Sequence, residues 1–197
     1  MKIIKYVQLL LVLVSLTPLV AGANDWIVVP EQSQLNFISV KKSNVAEVHQ
    51  FKSVSGQWDL KGELIVDIDL ATVETGIEIR NQRMRELLFD VSQFSKATLK
   101  SFIDVQVIDE LTISETVSLI VTAQLSLHGQ IRPVELTVRV TKLSSDKILV
   151  ISDKPTILNV ADFDLIAGVE QLREVAKLPS ISHAVPVSFY LTFKTSN

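Results

Sequence analysis

The chain has 197 residues, 47% of them hydrophobic, with no cysteine and a formal charge of −3 from 19 basic and 22 acidic side chains. Without cysteine there are no disulfides, zinc-thiolate sites, iron–sulfur clusters or thiol chemistry. The slight acidity leaves no basic excess to neutralise phosphates, so nucleic acid is not an expected partner.

Residues 1–23 read as a secretory signal peptide. Lys2 and Lys5 make a basic start, an almost unbroken Leu/Val run follows, and Ala21-Gly22-Ala23 offers a small-x-small cleavage site. The run is shorter than the roughly 20 apolar residues a membrane span needs, and Gln8, Ser15, Thr17 and Pro18 interrupt it. The expectation is a periplasmic protein cleaved after Ala23, without a stable membrane span and with 24–197 as a single domain. Removing Lys2 and Lys5 leaves 17 basic residues against 22 acidic ones, a charge of −5. That length suffices for one sizeable core.

Along the mature chain, apolar and polar residues alternate with the period of a strand. Leu35, Phe37 and Ser39 alternate with Asn36 and Ile38, and residues 45–60 continue in strand-like fashion. Leu64, Val66, Ile68 and Leu70 oppose Ile65, Asp67, Asp69 and Ala71, which predicts a solvated Asp67–Asp69 face. Residues 80–90 break the period: Met84, Leu87 and Leu88 fall at helical spacing, so a short helix is expected there, with Phe94 packing back onto it. Strand spacing resumes at Leu99, Ser101, Ile103, Val105 and Val107, and again at Leu119, Val121, Ala123, Leu125 and Leu127. The segment 129–133 (Gly-Gln-Ile-Arg-Pro) reads as a tight loop into a strand over 133–140, with another over 147–152. In 161–178, Leu165, Val169, Leu172 and Val175 trace a second helix. Asp162 or Asp164 is its expected cap and Pro179 its expected stop. Val185, Val187, Phe189, Leu191 and Phe193 form the last strand. About eight strands result, a number suited to a closed antiparallel barrel, whose interior is either filled or holds one small ligand. A filled barrel or sandwich serving as a periplasmic interaction or stress module is the alternative.

In motif and order the mature chain resembles the YceI-like family of periplasmic, polyisoprenoid-binding, lipocalin-like barrels. The resemblance runs through Trp26-Ile27-Val28-Val29-Pro30, Ser33-Gln34-Leu35-Asn36-Phe37 and Val54-Ser55-Gly56-Gln57-Trp58. It continues through Arg80-Asn81-Gln82-Arg83-Met84-Arg85 and Leu125-Ser126-Leu127-His128-Gly129, which leads into Arg132-Pro133-Val134-Glu135-Leu136. The chain has Asn81 where the family usually has Asp, and a longer helical insert in 163–178. The resemblance implies an eight-stranded barrel with one or two helices over an opening. It further implies non-enzymatic binding of a long-chain isoprenoid, a quinone-like molecule or another amphiphilic lipid, and no other cofactor.

The expected inward set is Phe37, Val66, Ile68, Leu125, Leu127, Leu136, Phe189 and Leu191, with Leu87, Leu88 and Phe163 near the mouth. Arg80, Arg83 and Arg132 are candidate contacts for an anionic headgroup, because guanidinium forks suit phosphate. Surface pairing with Glu78 and Glu86 is the plainer reading of the helix arginines. His49, His128 and His183 stand in no metal-ligand spacing, and no HExxH or GxSxG motif occurs. Neither catalysis nor a metal site is expected.

Overall fold

The structure, a computed structural model, describes residues 25–196; the leader reading lies outside them. Among the described residues, twelve antiparallel strands form one sheet that closes on itself. They are β1 (Trp26–Val28), β2 (Gln34–Lys41), β3 (Val45–Phe51), β4 (Val54–Trp58), β5 (Glu63–Asp69) and β6 (Val73–Glu74). Then come β7 (Lys96–Phe102), β8 (Thr116–Leu127), β9 (Gln130–Ser144), β10 (Lys147–Ser152), β11 (Thr156–Asn159) and β12 (Ala184–Thr195). The closed ring runs β1-β4-β5-β7-β8-β9-β10-β12 and back to β1, eight strands in all.

The other four strands are continuations of ring members. On one flank of β12, β1 pairs with Phe193–Thr195 and β2 with Val187–Tyr190. On the other flank, β10 pairs with Tyr190–Lys194 and β11 with Ala184–Val187. In the same way β3 continues β4, and β6 continues β5. Local chemistry makes the breaks. Pro30 opens a 3-10 turn between β1 and β2, and the Asp69 carboxylate turns the chain after β5 by accepting from the Ala71 amide at 2.9 Å. Pro155 falls between β10 and β11, where it has no N–H to give the ladder. The expected single strand over 45–60 is therefore two, parted at Lys52 and Ser53.

Two further expectations are corrected. The turn between β8 and β9 is only His128-Gly129, both at positive φ (50° and 74°), as a two-residue hairpin of the mirror-image kind requires. Pro133 thus lies inside β9 opposite Gln124, and is tolerated because the β10 ladder on its other flank ends at Ser152↔Val138. The alternation through Ile103, Val105 and Val107 does not continue β7. Asp104 accepts from the Gln106 amide at 3.0 Å and starts a helical turn, α1 (Gln106–Asp109). Phe94 packs on His128, with ring centroids 4.5 Å apart.

The barrel is plugged at one end. Trp58, Val140, Ile148, Phe193 and Ile108 of α1 are almost fully buried there, and the Trp58 indole donates to the Ile103 carbonyl at 2.9 Å. The other end is hollow and carries the remaining helices. A helix over Glu78–Arg83 runs on into a π-helical turn, Met84–Leu88, as the 80–90 spacing predicts. The second predicted helix is α2 (Ile166–Val175), preceded by a 3-10 turn at Val160–Phe163. Neither aspartate caps α2, whose N-cap is Leu165; Asp164 instead adopts the left-handed conformation ahead of it. Its end comes before Pro179 has a role: Lys177 takes φ 52°, and the Leu178 amide reaches back to the Arg173 carbonyl at 2.9 Å.

The two helical segments meet at Gly168, where a Cβ would lie 2.6 Å from the Leu87 carbonyl oxygen and 2.8 Å from the Leu88 Cα. Both obstacles are backbone. Gly168→Ala should therefore push α2 off the π-turn and cost about 1–3 kcal/mol, read as a lowered urea midpoint.

Candidate functional site

The hollow half encloses a cavity of about 440 Å³. The inward parity of the strands builds most of its wall: Phe37, Val66, Ile68, Leu125, Leu127, Leu136, Phe189 and Leu191 all line it. Leu88 of the π-turn and Phe163 of the 3-10 turn complete the predicted apolar residues that face it. Leu87 is not among the lining residues; its carbonyl packs against Gly168 instead. From α2, Val169, Leu172 and Val175 close the top, which accounts for that helix's apolar stripe. Phe51 also lines the cavity, between Phe37 at 5.3 Å and Phe89 at 5.7 Å between ring centroids.

At the open end the lining turns polar, and sequence reasoning missed most of these residues. Cross-strand register between β2 and β3 sets Phe37 opposite His49 and Ser39 opposite Glu47. Lys41, one step beyond Ser39 on the same face, also lines the cavity. Lys41 Nζ donates to Glu47 Oε2 at 2.8 Å, and Arg80 Nη1 donates to the same oxygen at 2.6 Å. Hydrogen bonding from Lys41, with the nearby Arg80 charge, holds the Glu47 carboxyl below its ordinary value. Arg80 Nη2 donates to the Thr75 carbonyl at 2.6 Å, fixing the guanidinium plane.

His49 is 2% exposed and stacks at a tilt on Phe37. Its Nε2 lies 2.8 Å from Ser39 Oγ, while Nδ1 has no hydrogen-bond partner among the described residues. Burial, then the Arg80 charge, pushes its pKa down to about 4, so the ring is neutral at pH 7.

The arginines divide. Arg80 and Arg83 both line the cavity, and Arg83 makes no hydrogen bond or ion pair among the described residues. Arg85 takes the surface role, pairing with Glu78 at 2.7 Å. Arg132 does not line the cavity; it is exposed and donates to Gln130 Oε1 at 3.2 Å beside a separate polar depression with Lys154 and Asp162. Asn81 is buried, accepts from the Thr75 amide at 2.8 Å and donates to Glu74 at 3.0 Å. An aspartate could accept from Thr75 but not donate to Glu74. That bond helps hold the helix carrying Arg80 and Arg83 at the mouth.

Asp67 and Asp69 face outward as expected, Asp67 bonded to Lys96 at 2.9 Å and Thr98 at 2.6 Å. Among the described residues no cluster of three or more His, Asp or Glu could hold a metal ion, and no helix is long and apolar enough to cross a membrane.

An eight-stranded antiparallel ring, plugged at one end and hollow beneath helices at the other, is a lipocalin-like barrel with an apolar chamber. The sequence profile of the YceI-like domain matches residues 26–193. A polyisoprenoid binding domain from Saccharophagus degradans, implicated in plant cell wall breakdown, is 37% identical; the match covers 87% of this chain and 98% of that one, with a TM-score of 0.85. The chain belongs to the YceI-like family. Burkholderia cenocepacia BcnA shares the fold at 19% identity and TM-score 0.62, over 84% of this chain and 98% of its own. So does the Campylobacter jejuni YCEI protein, at 13% identity and TM-score 0.56, over 76% and 85%. Comparison with curated proteins returns no match.

Proposed function

We propose that this protein is a non-enzymatic carrier of a long-chain isoprenoid or a similar amphiphilic lipid, acting in the periplasm after loss of residues 1–23. The chain of the lipid lies in the chamber and its head lies at the polar end, beside Arg80 and Arg83. The observation that carries this reading is the 440 Å³ cavity, walled mostly by apolar side chains, with Lys41, Glu47, Arg80 and Arg83 as the charged residues of its lining. Its volume is in the range of small-molecule sites, typically about 300–1,000 Å³. Each methylene moved from water to such a wall gains about 0.8 kcal/mol, so a prenyl chain needs no charged grip along its length. The 37% identical structure of a polyisoprenoid binding domain supports the ligand class.

His49, the histidine that lines the chamber, favours carriage over hydrolysis. A serine–histidine–carboxylate triad needs a carboxylate on the second ring nitrogen. His49 sits on Ser39, but its Nδ1 has no such partner. The hollow mouth likewise weighs against a filled interaction module.

Mass spectrometry of organic extracts from natively purified protein tests the reading. The expected result is a long-chain lipid near one per protein, with an intact protein mass starting at Asn24. Empty protein that also takes up no added prenyl lipid would overturn carriage, and a retained Met1 would overturn export.

A further inference from the structure

We propose that the polar end of the chamber is an anion subsite, in which Arg80, Arg83 and the Nδ1–H of His49 hold a terminal phosphate or carboxylate on the bound lipid in preference to an uncharged head. This inference rests on the lipid-carrier reading and names the head that such a lipid carries.

Two buried side-chain polar atoms lack a hydrogen-bond partner among the described residues: His49 Nδ1 and Arg80 Nε. Dry, unpaired polar atoms are costly and need an explanation. Both belong to side chains lining the same chamber, at the same end, on strand β3 and on the helix over Glu78–Arg83. Arg80 Nε is a donor in every state. We assign the Ser39 hydroxyl as the donor to His49 Nε2, at 2.8 Å, the tautomer that keeps the ring proton on Nδ1. In that tautomer both orphans are donors, and an acceptor oxygen satisfies them.

Charge selects the kind of acceptor. Lys41, Arg80 and Arg83 face the chamber against a single carboxylate, Glu47. Glu47 is shared between Lys41 and Arg80, and Arg83 is left without a counterion. Apolar walls from Phe37, Leu88 and Val175 surround this excess, and low local polarisability strengthens its pull on an anion. Phosphate and carboxylate share the required chemistry, a terminal anionic oxygen. An alcohol or a ketone offers the oxygen without the charge.

Calorimetric titration of the delipidated mature protein with chain-matched probes tests this. Geranylgeranyl phosphate is compared with geranylgeraniol, and palmitate with hexadecanol. At least one anion is expected to bind about tenfold or more tightly than its alcohol, as charge-assisted hydrogen bonds imply. A gap only in the prenyl pair assigns a phosphate head, and a gap only in the other pair assigns a fatty acid. Arg83→Gln should shrink the gap several-fold, and because the Arg83 side chain makes no hydrogen bond or ion pair among the described residues this variant should remain folded. His49→Phe keeps the apolar ring and should narrow the gap too. Alcohols binding as tightly as the anions would overturn the subsite and leave lipid carriage standing. No binding by any of the four probes would overturn carriage itself.

Discussion

Trp58→Ala should lower the free energy of unfolding by about 3–5 kcal/mol, whereas Leu125→Trp should leave stability nearly unchanged and strip the protein of its lipid. The contrast follows from the two halves of one barrel. Trp58 is 2% exposed in the plugged half and opposite Trp26, so truncation opens a void that close-packed neighbours cannot fill. It also orphans the Ile103 carbonyl that accepts the indole N–H. Leu125 lies on the same kind of inward-facing parity but borders the 440 Å³ cavity, where a larger ring has room to enter. Urea unfolding and lipid extraction on both variants check the pair. If Leu125→Trp instead showed the 1–3 kcal/mol loss of an overpacked core, with lipid occupancy intact, the chamber would not be where the ligand sits.

The second large effect is on pH. His49 is held neutral in the fold, its pKa about 4 against an ordinary value of 6.5. In the unfolded chain it protonates near 6.5, so over the interval between these values the unfolded state binds a proton that the folded state does not. Stability from this group is fully present above about pH 6.5 and is lost as pH falls toward 4. The loss should reach about 2–3 kcal/mol by pH 4.5, at roughly 1.4 kcal/mol per pH unit. The carboxylates act lower. Glu47, held down by Lys41, and Glu74, held near 2 by Lys52, protonate around their ordinary 4.5 in the unfolded chain but lower in the fold, so their share of the stability is lost as pH falls below about 5. Denaturant titrations at pH 7.0, 6.0, 5.0 and 4.5 should therefore show a slope in the wild type that is flattened in His49→Gln. An unchanged slope in the variant would mean that His49 is not the buried base.

What was legible in the sequence is the period-two alternation, and with it the faces. Leu125, Leu127 and Leu136, or Val66 and Ile68, need only be counted in twos to be placed inside, because a strand admits no other arrangement of its side chains. Alternation does not say where a strand stops, and Ile103, Val105 and Val107 continued it into what folds as a helical turn, because Asp104 captures the Gln106 amide. Nor does it say what the interior contains. The plugged and hollow halves use the same residue types, and only helical placement over the barrel distinguishes Phe193, fully buried, from Phe189, at the cavity wall.

The polar mouth was illegible for a different reason. In β3 the usual polarity is inverted: Glu47 and His49 point inward while Val48 stands outside, 66% exposed. Read alone, that strand offers no reason to choose its polar face as the inner one. The register against β2, with Phe37 opposite His49, settles the choice, and register between strands is a long-range fact. The helix arginines show the converse. Three stand within six residues, yet only tertiary placement sends Arg80 and Arg83 to the chamber and Arg85 to Glu78.

Strand β12 is the last described strand, and it pairs with four others, β1, β2, β10 and β11. Without those twelve residues the ring would be an open ribbon with two raw edges and its oily inner surface in water. Closing the container takes a pairing between the first and last described strands, Trp26–Val28 against Phe193–Thr195. Contacts so distant along the chain make for slow closure. An unclosed barrel would expose both edges to pairing with a second copy of the chain, so closure guards against self-association as well as enclosing a ligand.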